Sequence, residues 1–405
     1  MRILFLTNLL PYPLDNGGKI KSYNVINILS NAGHTIDLLC FDEKDEKHNN
    51  FEAELLNICR YVHQIHLKLT TANHKKYMIK KYIQSLFSKL PFNIYKYKSK
   101  DMYEKLHMMK NAGNDYDIIY IDHLPISIYI ECTKKLWPKA RVVLDEHNCE
   151  YIILERNSEQ NSNILKKWIM QYEAKKEKIY EANAVRNSDD VIVLSSIDYS
   201  LIKKAVGEDF PHKIIPISVQ DKAIKKINNI NNAVLNILFI GTLTWEPNNQ
   251  GLIWFLKNVV PKMRKEKIEF HLYIVGKHPS KEVVELASNK TDITITGYVD
   301  SIDEYYDKCD CTVVPLFIGS GQRVKLIESF SKGMPAISTL IGAEGLVFKD
   351  KDNLLIANNP DEFLCAIKEM QNPDVRKRIG EKARKTFEDV YSIEAISNSY
   401  KDVIY

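Results

Sequence analysis

The sequence predicts an α/β protein with two Rossmann-like domains, each built on a doubly wound parallel sheet. Short apolar runs alternate with amphipathic stretches, a pattern typical of parallel strands joined by helices. The alternation stops at the polar, asparagine-rich run DKAIKKINNINN and then resumes. A chain of 405 residues is also too long for one hydrophobic core. We therefore expect two facing domains joined by a linker, with the ligand site in the cleft between them.

The first half of the chain contains the apolar runs of a parallel sheet. A Gly-Gly turn and a helix from about Ser22 to Ala32 follow the first run, and Gly33 ends that helix. The predicted strands are Arg2–Thr7, Thr35–Cys40, Ile65–Leu69, Asp117–Ile121, Arg141–Leu144 and Asp190–Leu194.

The second half repeats the pattern after the linker. The predicted strands are Val234–Ile240, Glu269–Val275, Ile293–Thr296, Cys311–Pro315 and Pro335–Thr339, with a helix over Gly251–Met263. The expected domains are residues 1–220 and 234–386, with 221–233 as the linker.

Composition excludes several classes of protein. Apolar residues make up 45% and charged residues 27% of the chain, which is ordinary globular composition. The net charge of +4 does not indicate a nucleic-acid binder. Seven scattered cysteines fit reduced thiols. The apolar N-terminus has no signal-peptide cleavage pattern, and no run of about 18 apolar residues could span a membrane. We expect a cytoplasmic protein.

Two stretches combine lysines with aromatic and aliphatic residues. One lies within residues 74–110, which we interpret as a basic helical insertion in the first domain, and the other is Leu165–Tyr180. They fit either a solvated helix surface or a face that lies on anionic lipid. The second alternative would place the protein peripherally on the inner face of the cell membrane. Nucleic-acid binding is disfavoured because no recognition motif accompanies the charge.

The most informative stretch is VVPLFIGSGQRVKLIESFSKGMPAISTLIGAEGL, residues 313–346. A strand ends at Pro315, and a helix is predicted from about Gln322 to Lys332. The turn between them contains Gly319, Ser320 and Gly321. Glycines let the backbone approach a ligand, and helix N-terminal amides favour a phosphate.

Three side chains of this helix fit a nucleotide diphosphate. Arg323 and Lys325 lie in the predicted first turn, where cations oppose the helix dipole unless an anion is bound. Arg binds phosphate oxygens in bidentate fashion, and Lys acts as a compact charge. Glu328 could accept hydrogen bonds from ribose hydroxyls. An ordinary βα unit with two surface cations is the simpler alternative.

This stretch resembles the donor-binding signature of family-4, retaining glycosyltransferases of the GT-B fold. Glu328 matches the second of that family's two glutamates, which binds the ribose. Ser320 stands where the first is expected, so Ser320 and backbone amides would replace a carboxylate contact to the donor sugar. The sequence is close to the Gly-Ser-Gly-x-Arg-x-Lys form of one branch of the family.

The resemblance extends along the chain. Many family members hold the diphosphate with an Arg and a Lys where this sequence has Thr242 and Asn248, so Arg323 and Lys325 would supply that charge. Tyr298 and Val299 lie in the segment that resembles the loop whose backbone reads the nucleobase. Residues 387–405 resemble the terminal helix that crosses back to the first domain.

In the first half, Gly17 and Gly18 resemble the glycine loop that reaches over the donor diphosphate, although a plain tight turn is an equal alternative. The family histidine that faces the transferred sugar aligns with either Asp122 or His123, and both assignments stay open. The segment that resembles an acceptor-side loop consists of Asp145, Glu146, His147 and Asn148. Its two carboxylates are candidates for a base.

Rival motifs are weaker. Asp350-Lys-Asp352 is an Asp-x-Asp within a polar run rather than after a strand, so we read it as a solvated turn and expect no metal. No Gly-x-Gly-x-x-Gly follows the first strand, which disfavours a dinucleotide dehydrogenase. No hydrolase elbow or P-loop is present.

The resemblance implies a metal-independent glycosyltransferase without a permanently bound cofactor. Its donor is a nucleotide diphosphate sugar, and UDP is more frequent in the family than GDP. The expected acceptor is a saccharide or a lipid-linked saccharide of bacterial surface polysaccharide synthesis. Two alternatives stay open: a nucleotide-sugar epimerase on the same fold, and a non-catalytic nucleotide-sugar-binding partner, which the Ser320 departure allows.

Overall fold

The computed structural model describes residues 1–14, 16–43, 49–68, 71–159, 163–221, 234–288 and 290–404. The chain divides into two compact units, which we call unit 1 (Met1–Ile217 with Ile396–Tyr405) and unit 2 (Ser218–Ala395). The predicted linker, 221–233, lies outside the described residues apart from Asp221.

Unit 1 is built on a seven-stranded sheet in which all neighbouring strands are parallel. The strand order is β3-β2-β1-β4-β5-β6-β7. The central strand β1 is fully buried from Ile3 to Leu6, as a strand covered on both faces must be. The strands are β1 (Arg2–Thr7), β2 (Thr35–Asp42), β3 (Tyr61–His66), β4 (Ile118–Asp122), β5 (Arg141–Asp145), β6 (Asp190–Val193) and β7 (His212–Ile214).

Helices connect these strands and cover the sheet. The Asn16 side chain caps the first helix by accepting a hydrogen bond from Lys19 N at 3.1 Å. The helices are α1 (Gly17–Asn31), α2 (Asn49–Leu56), α3 (Thr71–Leu86), α4 (Phe92–Tyr95), α5 (Lys100–Asn111), α6 (Ile130–Leu136), α7 (Glu150–Glu159), α8 (Ile164–Arg186) and α9 (Ser196–Val206), with a 3₁₀ turn over Leu124–Tyr129.

Unit 2 is built on a six-stranded sheet of order β10-β9-β8-β11-β12-β13, again with parallel neighbours. Its strands are β8 (Leu235–Ile240), β9 (Phe270–Val275), β10 (Ile293–Gly297), β11 (Cys311–Val314), β12 (Ala336–Ser338) and β13 (Leu355–Ile356). Its helices are α10 (Glu246–Asn258), α11 (Val260–Lys265), α12 (Lys281–Ala287), α13 (Asp303–Lys308), α14 (Val324–Ser331), α15 (Pro360–Met370) and α16 (Pro373–Thr386).

When each sheet is numbered from its own first strand, the two orders agree over six strands, and the sheet of unit 1 has β7 in addition. Both sheets are doubly wound. The predicted fold class, two Rossmann-like domains with parallel sheets, is confirmed. A π-helical turn over Phe387–Tyr391 leads into the last helix, α17 (Ile393–Ile404). Residues from Ile396 onward belong to unit 1. Among the described residues, no helix combines the length and apolar character needed to cross a bilayer.

Candidate active site

The carboxyl ends of β8 and β9 bring two loops of unit 2 very close together. A Cβ atom at Gly241, after β8, would lie 2.6 Å from Asn248 Nδ2 and 3.0 Å from Lys325 Nζ. A Cβ atom at Gly276, after β9, would overlap the Gly241 carbonyl oxygen. Only glycine lets the loops approach this closely. They meet at the sheet edge where α/β proteins bind ligands.

The loop after β11 holds Arg323 in a defined position. The backbone is left-handed at Gly319 (φ 134°) and Gly321 (φ 77°), and a Cβ atom at Gly319 would overlap the Arg323 guanidinium. Arg323 Nη1 donates a hydrogen bond to the Ser320 carbonyl oxygen at 2.8 Å. The guanidinium carbon lies 5.6 Å from the centroid of the Trp245 ring, within cation–π range.

Lys325 connects helix α14 to the first turn of α10. Its Nζ donates a hydrogen bond of 2.8 Å to Asn248 Oδ1. Asn248 Nδ2 in turn donates to the Thr242 carbonyl oxygen at 3.0 Å. The two cations predicted for the diphosphate therefore lie beside Thr242 and Asn248, the residues that stand where the family carries its own cations.

The charge at this site is unbalanced. Desolvation and the neighbouring Arg323 lower the pKa of Lys325 to about 7, while Glu328 acts in the opposite direction. Two cations held this close disfavour each other's charge unless an anion is present. The arrangement therefore has the charge to bind a diphosphate at the start of a helix.

The start of α14 differs slightly from the prediction. The helix begins at Val324, so Arg323 occupies the N-cap position rather than the first turn, and Lys325 is the second helical residue. Glu328 follows one turn later and is half-buried. The Ser320 side chain is buried, with 1% of its surface exposed.

The loop after β10 carries the residues predicted to read the nucleobase. Tyr298 is 61% exposed, and the Lys277 ammonium lies 4.4 Å from its ring centroid. Val299 packs against the small apolar cluster that contains Tyr306. Lys277, which contacts Tyr298, and Trp245, which contacts Arg323, were not predicted from the sequence. Trp245 could have been suspected, because it lies between Thr242 and Asn248.

Asp122 is the centre of a buried hydrogen-bond network at the strand ends of unit 1. Asp122 Oδ2 accepts hydrogen bonds from Thr7 Oγ1 at 2.7 Å and Ser22 Oγ at 2.6 Å. Its Oδ1 lies 2.7 Å from His147 Nε2. Burial alone would raise the pKa of Asp122, but His147, Lys21 and Ser22 outweigh burial and hold that pKa well below its usual range. Asp122 is therefore a fixed, buried carboxylate.

A second buried carboxylate belongs to Asp145. The Lys21 ammonium forms an ion pair with it, and both side chains are buried. Tyr120 Oη donates a hydrogen bond to Asp145 Oδ2 at 2.6 Å. Burial followed by the Asp145 charge raises the pKa of the Tyr400 hydroxyl, so the last helix lies against this network. Sequence reasoning could not have paired Lys21 with Asp145, because 124 residues separate them.

His123 lies at the edge of this network. Its backbone is left-handed (φ 86°), an uncommon conformation for a residue with a side chain. Its ring packs edge-to-face against His147, with 4.7 Å between centroids, and its Nε2 lies 3.4 Å from Glu150 Oε1. Burial and His147 lower the pKa of His123. The His123 side chain is 17% exposed, whereas Asp122 has no exposed surface.

The predicted acceptor loop lies mainly inside unit 1. Asp145 and Glu146 have 0% and 1% of their surface exposed, and His147 has 6%. Burial, with the charges of Glu181 and Glu150, raises the pKa of Glu146. Direct acceptor contact by the Asp145 and Glu146 carboxylates does not fit this burial. Asn148 is half-buried, and its Nδ2 donates to Glu150 Oε1 at 3.3 Å.

Gly17 and Gly18 form the first turn of α1. The same helix places Ser22 on Asp122 and Lys21 on Asp145, so the glycine turn is tied to the buried network. Asp122, Asp145 and His147 bring one ligand atom each within 4.8 Å of one another, a spacing compatible with a metal ion. Lys21 already supplies a positive charge there. The metal-independent chemistry expected from the sequence stays a prediction.

Comparisons with known proteins found one matching family and one related protein. Residues 235–372 match the family model described as glycosyl transferases group 1, and this match lies within unit 2. Over 372 residues the chain is 26% identical to a 44.6 kDa protein of the cps region in Klebsiella pneumoniae, covering 90% of this chain and 89% of that protein.

Solved structures extend the likeness to the whole chain. Sucrose-phosphate synthase from Thermosynechococcus elongatus is similar with a TM-score of 0.69 at 14% identity, covering 100% of this chain and 98% of that one. HepE from Anabaena, in complex with UDP and glucose, has a TM-score of 0.66 at 13% identity, with 100% and 99% covered. The lipopolysaccharide outer core galactosyltransferase WaaB has a TM-score of 0.62 at 13% identity, with 100% and 99% covered. At this identity the likeness establishes the fold, which the chain shares with glycosyltransferases, while the group 1 match lies within unit 2.

Proposed function

We propose that the chain is a glycosyltransferase that moves a sugar from a UDP-sugar to a saccharide or lipid-linked acceptor. The observation that carries the proposal is the convergence of Arg323 and Lys325 on the start of α10, where they contact Trp245 and Asn248. The family match over this part of the chain supports it. HepE, which shares the fold, has been solved with UDP and with UDP-glucose.

The mechanism follows from the charge that develops on the departing diphosphate. Arg323 and Lys325 stabilise that charge, together with backbone amides of the Gly319–Gly321 turn. Glu328 accepts hydrogen bonds from the ribose. Because Ser320 is buried, backbone groups rather than its hydroxyl are the better candidates for the donor sugar. Retention of configuration is part of the proposal through the family resemblance alone.

Unit 1 supplies the acceptor side. Of the two alternatives for the residue that faces the transferred sugar, we favour His123, because Asp122 is fully buried and engaged by three partners. Asp122 and Asp145 then act as positioning residues that hold His147 and α1. Asn148 and the Gly17–Gly18 turn remain as groups with surface to offer a substrate.

The outer face of α8 supports a membrane-associated acceptor. Trp168 is 72% and Ile179 65% exposed. At 3.6 residues per turn, Ile164, Leu165, Trp168, Tyr172 and Ile179 lie within roughly one-third of the helix circumference. Lys175 lies within the same arc. An exposed apolar stripe that also carries a lysine fits a helix that lies on anionic lipid.

Helix α3 presents a similar stripe nearby. Ile79 and Ile83 of this helix are 48% and 52% exposed, and Phe87, the residue after its end, is 91% exposed. The two helices are neighbours, because Lys176 Nζ donates to the Ser85 carbonyl oxygen at 2.8 Å. We propose that both stripes contact an anionic membrane, which fits synthesis of a surface polysaccharide. The K. pneumoniae relative lies in a cps region.

Vesicle co-sedimentation tests the membrane contact. Wild type should sediment with vesicles that contain phosphatidylglycerol, and a Trp168→Gln/Phe87→Gln variant should not. Equal sedimentation of both proteins, or no dependence on the anionic lipid, would refute the contact.

Nucleotide binding tests the donor site. A ligand present at about 100 times its Kd stabilises a protein by roughly 2.7 kcal/mol, so UDP and UDP-sugars should raise the Tm of wild type. Arg323→Gln should show a smaller shift because its binding is weaker, and Lys281→Gln, at an exposed lysine of α12, should keep the full shift. Absence of a shift with every nucleotide would overturn the assignment. Acceptor-dependent release of UDP then separates transfer from epimerisation and from binding without turnover.

A further inference from the structure

A cavity in unit 1 lies apart from the residues assigned so far. It has a volume of about 430 Å³ and is lined by Lys81, Tyr95, Lys98, Ser99, Lys100 and Tyr103. These residues come from the C-terminal half of α3, from the end of α4, from the segment between α4 and α5, and from the start of α5. Three of the six lining residues are lysines, and none is acidic. The cavity is therefore strongly cationic.

Lys81 is held at the wall of this cavity. Its Nζ lies 5.5 Å from the centroid of the Tyr95 ring and 5.8 Å from that of Tyr77. The same atom donates a long hydrogen bond of 3.4 Å to the Lys98 carbonyl oxygen. Burial and the Lys98 charge lower the pKa of Lys81. Aromatic rings compensate an ammonium only partly, so a bound anion would stabilise it further.

The other two lysines are available to the same anion. Lys98 is exposed, and Lys100 pairs with Glu104 at 3.1 Å across a solvent-exposed ion pair. Such pairs contribute little energy and exchange readily. Three ammonium groups match an anion of more than one charge better than a single carboxylate. The Tyr95 and Tyr103 rings offer apolar surface to the group that carries the anion.

We propose that this cavity is a second anion site, which binds a phosphate ester independently of the nucleotide site in unit 2. The phosphate belongs to a lipid headgroup or to a free phosphate ester. At 3.6 residues per turn, Tyr77 and Lys81 lie on the opposite side of α3 from the exposed Ile79 and Ile83, so the apolar stripe does not indicate which source applies. The site therefore does not rest on the proposed membrane contact.

Calorimetric titration with glycerol 3-phosphate, a headgroup without acyl chains, tests phosphate binding. Saturating UDP is present throughout, so that the site in unit 2 is not measured. Wild type should bind, and Lys81→Gln/Lys98→Gln should bind about tenfold more weakly or worse, because each charged hydrogen bond contributes about 1.5 kcal/mol or more. Lys281→Gln/Lys377→Gln removes the same charge from exposed positions of unit 2 and should bind as wild type does.

Two controls test whether the variants are folded. They are the Tm of each variant and the single Lys98→Gln change, which lies at an exposed position. Vesicles of phosphatidylcholine with and without phosphatidic acid then distinguish the source. Binding to phosphatidic acid vesicles that the cavity variant loses supports a lipid phosphate. Binding of glycerol 3-phosphate without binding to these vesicles assigns the site to a free phosphate ester. Equal binding by wild type and the cavity variant, or no binding by wild type, overturns the site. A protein that fails to bind UDP but binds glycerol 3-phosphate would refute the donor assignment and leave this one standing.

Discussion

Lys325 Nζ donates a 2.8 Å hydrogen bond to Asn248 Oδ1, which connects the start of α14 to the first turn of α10. An amide oxygen offers the ammonium a partner without neutralising it. The positive charge therefore stays available to a ligand, at a pKa of about 7.

That pKa predicts the pH dependence of donor binding. A UDP-sugar prefers the charged lysine, so its affinity should be constant below pH 7 and should fall as the pH rises through about 7. The fall should approach about tenfold per pH unit until the pKa of the bound state is reached. Calorimetry with UDP-glucose checks this, because its diphosphate has no group that titrates near neutrality. Arg323→Gln should move the onset to higher pH, since Arg323 lowers the pKa of Lys325. Lys325→Gln should remove the dependence, and a retained slope in that variant would assign the titration to another group.

Glu328 predicts discrimination between ribose and deoxyribose. If its carboxylate accepts hydrogen bonds from the ribose hydroxyls, wild type should bind UDP about tenfold or more tightly than 2′-deoxy-UDP, since hydrogen bonds to charged groups contribute about 1.5–3 kcal/mol. Glu328→Gln should bind UDP more weakly and reduce this preference. Glu344→Gln, at a half-buried glutamate of unit 2, serves as the control. Equal binding of both nucleotides by wild type would exclude Glu328 from the ribose.

The buried Lys21–Asp145 pair predicts a large stability effect. Lys21→Met leaves the Asp145 carboxylate buried without its cation, and breaking a buried pair costs about 3–5 kcal/mol. Lys134→Met removes a solvent-exposed pair with Asp189 and should cost about 1 kcal/mol or less. Urea unfolding of both variants checks the difference. Similar losses would mean that Asp145 takes up a proton at little cost.

Glu177 predicts a change of stability with pH. Desolvation, followed by the Glu150 charge, raises its pKa to about 8, above the model-compound value of 4.5. The folded state therefore prefers the protonated form, and stability is lost as the pH rises from 4.5 to about 8. Glu177→Gln resembles that protonated form. Its Tm should exceed that of wild type above pH 8 and approach it near pH 5, with about 2–4 °C for each kcal/mol. A constant difference across this range would rule out titration as the cause.

The sequence predicted strand positions most accurately for strands that are buried on both faces. β1, β4, β5 and β8 are continuous apolar runs and were predicted within one residue at each end. β3 was expected over Ile65–Leu69 but spans Tyr61–His66. It is an edge strand that alternates buried and exposed residues, so its apolar signal is weak. β7 and β13 have only three and two residues. They were not predicted, because strands this short give a weak apolar signal.

The candidate site could be predicted only where its residues are close in sequence. The glycine turn, Arg323 and Lys325 form one short motif. The contact of Lys325 with Asn248 spans 77 residues, and tertiary packing alone decides it. The burial of Asp145 and Glu146 could not be predicted either. Residues at the end of a strand can be buried or exposed, and the local sequence does not distinguish the two cases.

The close approach of Gly241 and Gly276 limits how this protein could acquire a different donor. Any side chain at either position would displace the backbone or the Asn248 and Lys325 side chains. Substitutions that change the nucleotide preference, whether by natural drift or by laboratory evolution, therefore have to occur at residues whose side chains are exposed enough to be replaced. Trp245 and Tyr298, 41% and 61% exposed, are such positions. A library aimed at altered donor use should randomise those two and leave both glycines unchanged.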